Sequence, residues 1–180
     1  MLETSIEENS LSSMEINGCS VPVLPPKLHF VYVIAHLARH LFGCGIGLRQ
    51  LLDVIVFMKK GSVKEDFVYV TDSLSALKLD RIGDAIATIA VRNFSMNESV
   101  IPYSWRYNSQ YADYLLKLLL RSGNFGRSFP WGSKRMKGQS FQRTYFLISN
   151  AAYLVRLFPS EFFAAIKSKV IHLFIRKRSK

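Results

Sequence analysis

The residues best suited to chemistry lie close together between His36 and Asp53, in the run HLARHLFGCGIGLRQLLD. On a helix, residues four apart share a face, so His36 and His40 project together with Arg39 beside them. Arg49 and Asp53 repeat that spacing after a glycine-rich turn, which would make the two helices near-antiparallel neighbours whose polar stripes could meet. Three chemistries fit this set. Four of these residues could tie the helices together, with an Arg49–Asp53 ion pair and His40 capping carbonyls at its helix end. His36, Arg39, His40 and Arg49 could instead line a phosphate pocket, with Asp53 orienting a cation. A zinc site from His36, His40 and Asp53 is the third arrangement, although no Glu follows His36 and no further Cys/His pair is present.

The elements that must position these residues follow from periodicity. Residues 1–13, rich in Glu, Ser and Asn, read as a flexible lead-in. Residues 14–24 read as a β-hairpin or sheet remnant, with Asn17-Gly18 as its turn. Pro25-Pro26 ends the extended run and opens a helical domain over 25–180. There Phe30, Ile34, Leu37 and Leu41 mark a first helix over 27–42. A second, over 46–60, places Leu48, Leu51, Leu52, Ile55 and Val56 on one face. Further helices are expected over 64–78, over 80–94 with Asp80 as N-cap, and over 109–121. Two more follow over 139–158 and 160–176, with Ser160 as a cap. Phe162, Phe163 and the tyrosines from Tyr103 to Tyr114 read as core. The fold class is therefore mainly α: a helical bundle of about six to seven helices behind a short N-terminal hairpin.

Composition supports a folded chain and narrows its partners. The 180 residues are 49% hydrophobic and 21% charged, which suits one globular core and excludes a disordered tail or a disulfide miniprotein. Two cysteines, Cys19 and Cys44, behind an acidic N-terminus give a cytoplasmic expectation. No run approaches the ~18 apolar residues of a transmembrane span. The net charge is +11, with thirteen basic residues and the single acid Glu161 from Arg121 onward. That excess points to a polyanion. Arg127, Lys134, Arg135 and Lys137 are interleaved with Phe129 and Trp131 in a loop suited to single-stranded nucleic acid. Arg176, Lys177 and Arg178 end a helix that could rest on an anionic membrane surface.

The run from Leu24-Pro-Pro through His36, Arg39-His40 and Gly45-Ile-Gly-Leu-Arg49-Gln-Leu-Leu-Asp53 to Phe57 resembles an uncharacterised bacterial nucleotidyltransferase-like family of the polymerase-beta type. The resemblance is specific over 21–58, diffuse beyond, and covers the family's helical C-terminal half. It implies that the His36/Arg39/His40/Arg49 face closes over a nucleoside triphosphate. In an intact relative, magnesium would be held by a Gly-Ser turn followed by two carboxylates at spacing two. Here no two acidic residues stand at that spacing, and neither Gly61-Ser62 nor Gly132-Ser133 is followed by such a pair. The expectation is a truncated or degenerate family member, inactive alone, with its catalytic sheet lying upstream of Met1. An exposed sheet edge would favour self-association. The competing expectation is a helical binding or scaffold module that engages nucleic acid, an anionic membrane or a partner protein through its basic C-terminal surface.

Overall fold

The computed structural model describes residues 11–43, 46–122 and 145–167. Its only sheet among these residues is an antiparallel hairpin of β1 (Ser12–Ile16) and β2 (Cys19–Val23), registered from Ser12 opposite Val23 to Ile16 opposite Cys19. Asn17 and Gly18 both take positive φ, 51° and 79°, the turn geometry that matches strand twist in a two-residue hairpin. The extended run therefore starts at Ser12, two residues before the sequence pattern places it.

Helices form the rest: α1 (Pro26–Gly43), α2 (Leu48–Lys59), α3 (Phe67–Ala76), α4 (Asp80–Phe94), α5 (Ser109–Ser122), α6 (145–149), α7 (Ala151–Leu157) and α8 (159–167). Short 3-10 turns lie at Lys64–Asp66 and Glu98–Val100. Proline at the first position of α1 forfeits no bond, because that N–H has no partner inside a helix. The helix buries Phe30, Ile34, Leu37 and Leu41, the predicted stripe.

Several boundaries differ from the pattern, each for a local reason. The second helix starts at Leu48, where the Gln50 side chain turns back to accept the Gly47 N–H at 3.0 Å. Its core face is Leu51, Val54, Ile55 and Met58, so Leu48 and Val56 point to solvent. The 64–78 helix is split, because a 3-10 turn over Lys64–Asp66 precedes α3. Lys78 in the left-handed region then stops it, with the Leu79 N–H bonded to the Leu74 carbonyl. Asp80 lies inside α4 rather than capping it, and accepts a hydrogen bond from the Ser75 hydroxyl. Of the expected 139–158 helix, 139–144 lie outside the described residues, and the rest is interrupted at Asn150, whose amide bonds the Phe146 carbonyl that its own N–H also uses. Pro159, not a Ser160 cap, opens α8. Tyr103 is buried, but Tyr107 and Phe163 are exposed.

α4 is the centre of the packing. Ile82, Gly83, Ala85, Ile86, Ala87, Thr88, Ile89 and Ala90 are all buried, with α2, α3 and α5 against them. The connection after α4 lies back along it, held by groups of known partner. Thr71 accepts the Ser104 N–H at 2.9 Å, Asp84 accepts the Arg106 N–H at 2.8 Å, and Thr88 accepts the Asn108 N–H at 2.9 Å. Asn108 in turn accepts the Tyr111 N–H, fixing the entry to α5. The buried Tyr103 hydroxyl donates to the Gly83 carbonyl at 3.0 Å. Burial, reinforced by nearby Asp84, pushes that phenol's pKa far above its usual range, so it stays a donor.

At the α4–α5–α7 junction, arginines lie over tyrosines. Arg81 lies over Tyr111, Arg156 over Tyr114 and Arg121 over Tyr153, at 5.8, 5.4 and 5.7 Å from the ring centroids.

Gly83 leaves little room where Tyr103 crosses α4, since an added Cβ would stand 3.2 Å from the ring's Cε2. Gly83→Val should therefore destabilise the protein by about 1–3 kcal/mol despite removing a helical glycine. Tyr103→Phe, which loses one hydrogen bond and no volume, should cost about 1 kcal/mol. Urea unfolding of both variants checks the ordering.

Candidate functional site

The outward face of α1 is a line of rings. Its core stripe sits on one side, so Tyr32, His36 and Arg39 lie on the other, exposed, with His40 half-buried at the edge. Tyr32 stacks on His36 with centroids 5.7 Å apart, and His36 meets His40 edge-on at 4.4 Å. The spacing of four thus brings the histidines together as expected, and extends one turn back to Tyr32. Tyr32 is not among the residues the sequence pattern singles out, although it stands four before His36.

α2 runs back beside α1. His29 near the start of α1 meets Phe57 near the end of α2, with centroids 5.3 Å apart, and the few residues between Gly43 and Leu48 connect the opposite ends in sequence. The two helices are therefore antiparallel, and His36–His40 lies at the same end as Arg49. Arg49 and Asp53 are exposed, one turn apart on the face of α2 opposite its core stripe. They form no ion pair with each other: the ion pairs among the described residues are Lys27–Asp66 and Arg92–Asp113. α2 has glycine as its N-cap, so no side chain there caps its first-turn amides.

The electrostatics of this end are cationic. His40 is held below the usual histidine value of 6.5, chiefly by burial and then by the charges of His36 and Arg39. A proton is thus harder to place on His40 than on a free histidine, until an anion offsets its neighbours. No three His, Cys, Asp or Glu side chains among the described residues stand together as a metal site. The zinc arrangement of His36, His40 and Asp53 is therefore not formed. Asp53, an exposed single carboxylate, does not fit the two-carboxylate grip that magnesium takes in a nucleotidyl-transfer centre.

A family model described as an uncharacterised nucleotidyltransferase matches residues 4–95. The chain belongs to that nucleotidyltransferase family. The match takes in the hairpin and α1 to α4, and ends one residue past α4. It therefore includes the whole His36–Asp53 region and reaches beyond the 21–58 stretch where the sequence resemblance is specific. No curated protein and no solved structure matches the chain.

The remaining predicted site residues belong to the nucleotidyltransferase chain's C-terminal part. Arg127, Lys134, Arg135 and Lys137, and Arg176, Lys177 and Arg178, all lie outside the described residues, as does Cys44. Of the basic residues from Arg121 onward, Arg121 and Arg156 are engaged with tyrosine rings at the α5–α7 contact. No helix among the described residues is long and apolar enough to cross a membrane.

Because His36 and Arg39 both disfavour a proton on His40, His36→Gln should raise the midpoint of His40 towards 6.5. Arg39→Ala should raise it by less, as the smaller of the two charge effects. Proton NMR titration of the His40 ring measures both shifts.

Proposed function

We propose that this chain supplies the nucleotide-side helical part of a polymerase-beta-type nucleotidyltransferase of cytoplasmic, bacterial origin. The observation that carries the proposal is the ring-and-cation line Tyr32–His36–His40 with Arg39, exposed except at the half-buried His40, on α1 where it runs antiparallel to the start of α2 and Arg49. Family membership over that same region supports it. The chemistry is divided along the line. Tyr32 gives a base a flat surface to stack on, while His36, His40, Arg39 and Arg49 offer donors and positive charge to phosphates. A phosphate arriving at this end offsets the repulsion on His40, so binding takes up a proton and strengthens as pH falls towards the midpoint of His40. As charge builds on the triphosphate during transfer, the same cations would stabilise it.

This chain does not itself complete the reaction. Activation of the attacking group and neutralisation of the triphosphate require two carboxylates holding magnesium, and no two acids here stand at spacing two. We therefore assign these residues nucleotide binding without transfer, as a family member in which the carboxylate pair does not stand.

Titration calorimetry of the full chain with magnesium-ATP should show binding that Arg49→Ala weakens about tenfold or more, the loss of one charge-assisted phosphate contact. No heat with nucleotide, together with salt-sensitive binding to RNA or anionic vesicles, would contradict this and favour a binding module that uses the C-terminal basic residues. Incorporation of labelled nucleotide by the purified chain, abolished by Asp53→Ala, would overturn the assignment of binding without transfer.

A further inference from the structure

The hairpin has one apolar and one polar face, and among the described residues no other element packs over either. Cross-strand partners share a face, which places Met14, Ile16, Cys19, Val21 and Val23 with Ser12 on one side. Ser13, Glu15, Ser20 and Pro22 take the other. Met14 and Ile16 are 54% and 50% exposed, so the apolar side lies open. A lone two-stranded sheet is marginal in water and gains stability from a third or fourth strand.

The two edges of this hairpin are not equivalent. In a two-residue hairpin the pair that closes the turn, here Ile16 and Cys19, exchanges hydrogen bonds, and such pairs alternate along the ladder. Ser12–Val23, Met14–Val21 and Ile16–Cys19 are then bonded inwards, while Ser13–Pro22 and Glu15–Ser20 turn their backbone groups outwards. On β2 one of those outward positions is Pro22, which has no N–H to give, so that edge is blunted. On β1 the outward N–H and C=O of Ser13 and Glu15 are both intact.

From this asymmetry we infer that β1 is a self-pairing edge: two copies of the chain join antiparallel through β1 about a twofold axis at Met14. Independently of any nucleotide, the outward groups of Ser13 in one copy meet those of Glu15 in the other. Met14 faces Met14 of its copy as a non-bonded pair. Each Glu15 stands opposite a serine, so the carboxylates do not oppose each other directly, and the apolar sides of both hairpins fall on one face of a four-stranded sheet. Pro22 on both outer edges closes the assembly at a dimer instead of a fibre. Two five-residue strands bury less than a standard interface, so the dimer is weak and concentration-dependent.

Cysteine cross-linking of the full chain with Cys19 and Cys44 changed to Ser tests the register. Across a non-bonded antiparallel pair the Cα atoms stand about 4.5 Å apart, within disulfide reach. Met14→Cys should therefore oxidise to a linked dimer roughly tenfold faster than Ser13→Cys, whose two copies are offset by two residues and lie beyond the ~7 Å limit. Sedimentation equilibrium should show a monomer–dimer equilibrium in the parent chain. Ser13→Pro, which removes an outward N–H that the hairpin itself does not use, should leave only monomer with unchanged circular dichroism. Linking at Met14 no faster than at Ser13, or a parent chain that stays monomeric at every concentration, would overturn the inference. The monomer result would mean that residues 1–10, or nothing, occupy the edge.

Discussion

The burial of α4 on almost every side is the constraint on which the rest of the structure depends. A helix enclosed in this way cannot carry large side chains all round, and here Gly83, Ala85, Ala87 and Ala90 let neighbouring backbone approach. Enclosure also brings polar groups inside, and these need partners. The stretch from Tyr103 to Asn108 supplies them. It offers its N–H groups to Thr71, Asp84 and Thr88, and one phenol to the Gly83 carbonyl. Burial raises the pKa of Asp84, and the Arg106 N–H and charge act against that rise, so the carboxylate depends on this connection.

Two consequences follow for function. With the core interactions of α1 and α2 directed inwards, their outer faces need no residue for packing, and the histidine, arginine and aspartate side chains stand there. The matched family region ends at residue 95, so α5 and the 103–108 stretch that cover α4 belong to the part of the chain beyond the match. The nucleotidyltransferase-related helices are thus completed by a C-terminal half whose tyrosines are held under Arg81, Arg121 and Arg156. That use of arginine explains part of the positive charge without any polyanion.

Much of this was legible in the sequence because period and punctuation agree. Phe30, Ile34, Leu37 and Leu41 recur at helical spacing, and Asn17-Gly18 admits few backbones other than a tight turn. The pattern failed where one side chain competes with the backbone. Asn150 breaks a helix that its apolar neighbours would continue, and Gln50 sets the start of α2 two residues late. It failed again where an apolar residue flanks the true stripe, as Leu48 and Val56 do. The latch of Thr71, Asp84 and Thr88 onto residues 104–108 joins positions 20 to 33 apart through backbone donors, which carry no residue-type signature. At the site, the spacing of four predicted the His36–His40 contact. Tyr32 carries no such signal, because an isolated tyrosine on a helix is ordinary until its neighbour is known to stack on it.

The proposed function requires that the facing ends of α1 and α2 act as one phosphate-recognising surface. Amide and side-chain NMR of the labelled chain, titrated with a nucleoside triphosphate, tests it most directly. Shifts should concentrate on Tyr32, His36, Arg39, His40, Arg49 and Asp53, with the His40 ring titrating at higher pH once the ligand is bound. Shifts confined to residues beyond Arg121, with this set unmoved, would contradict it.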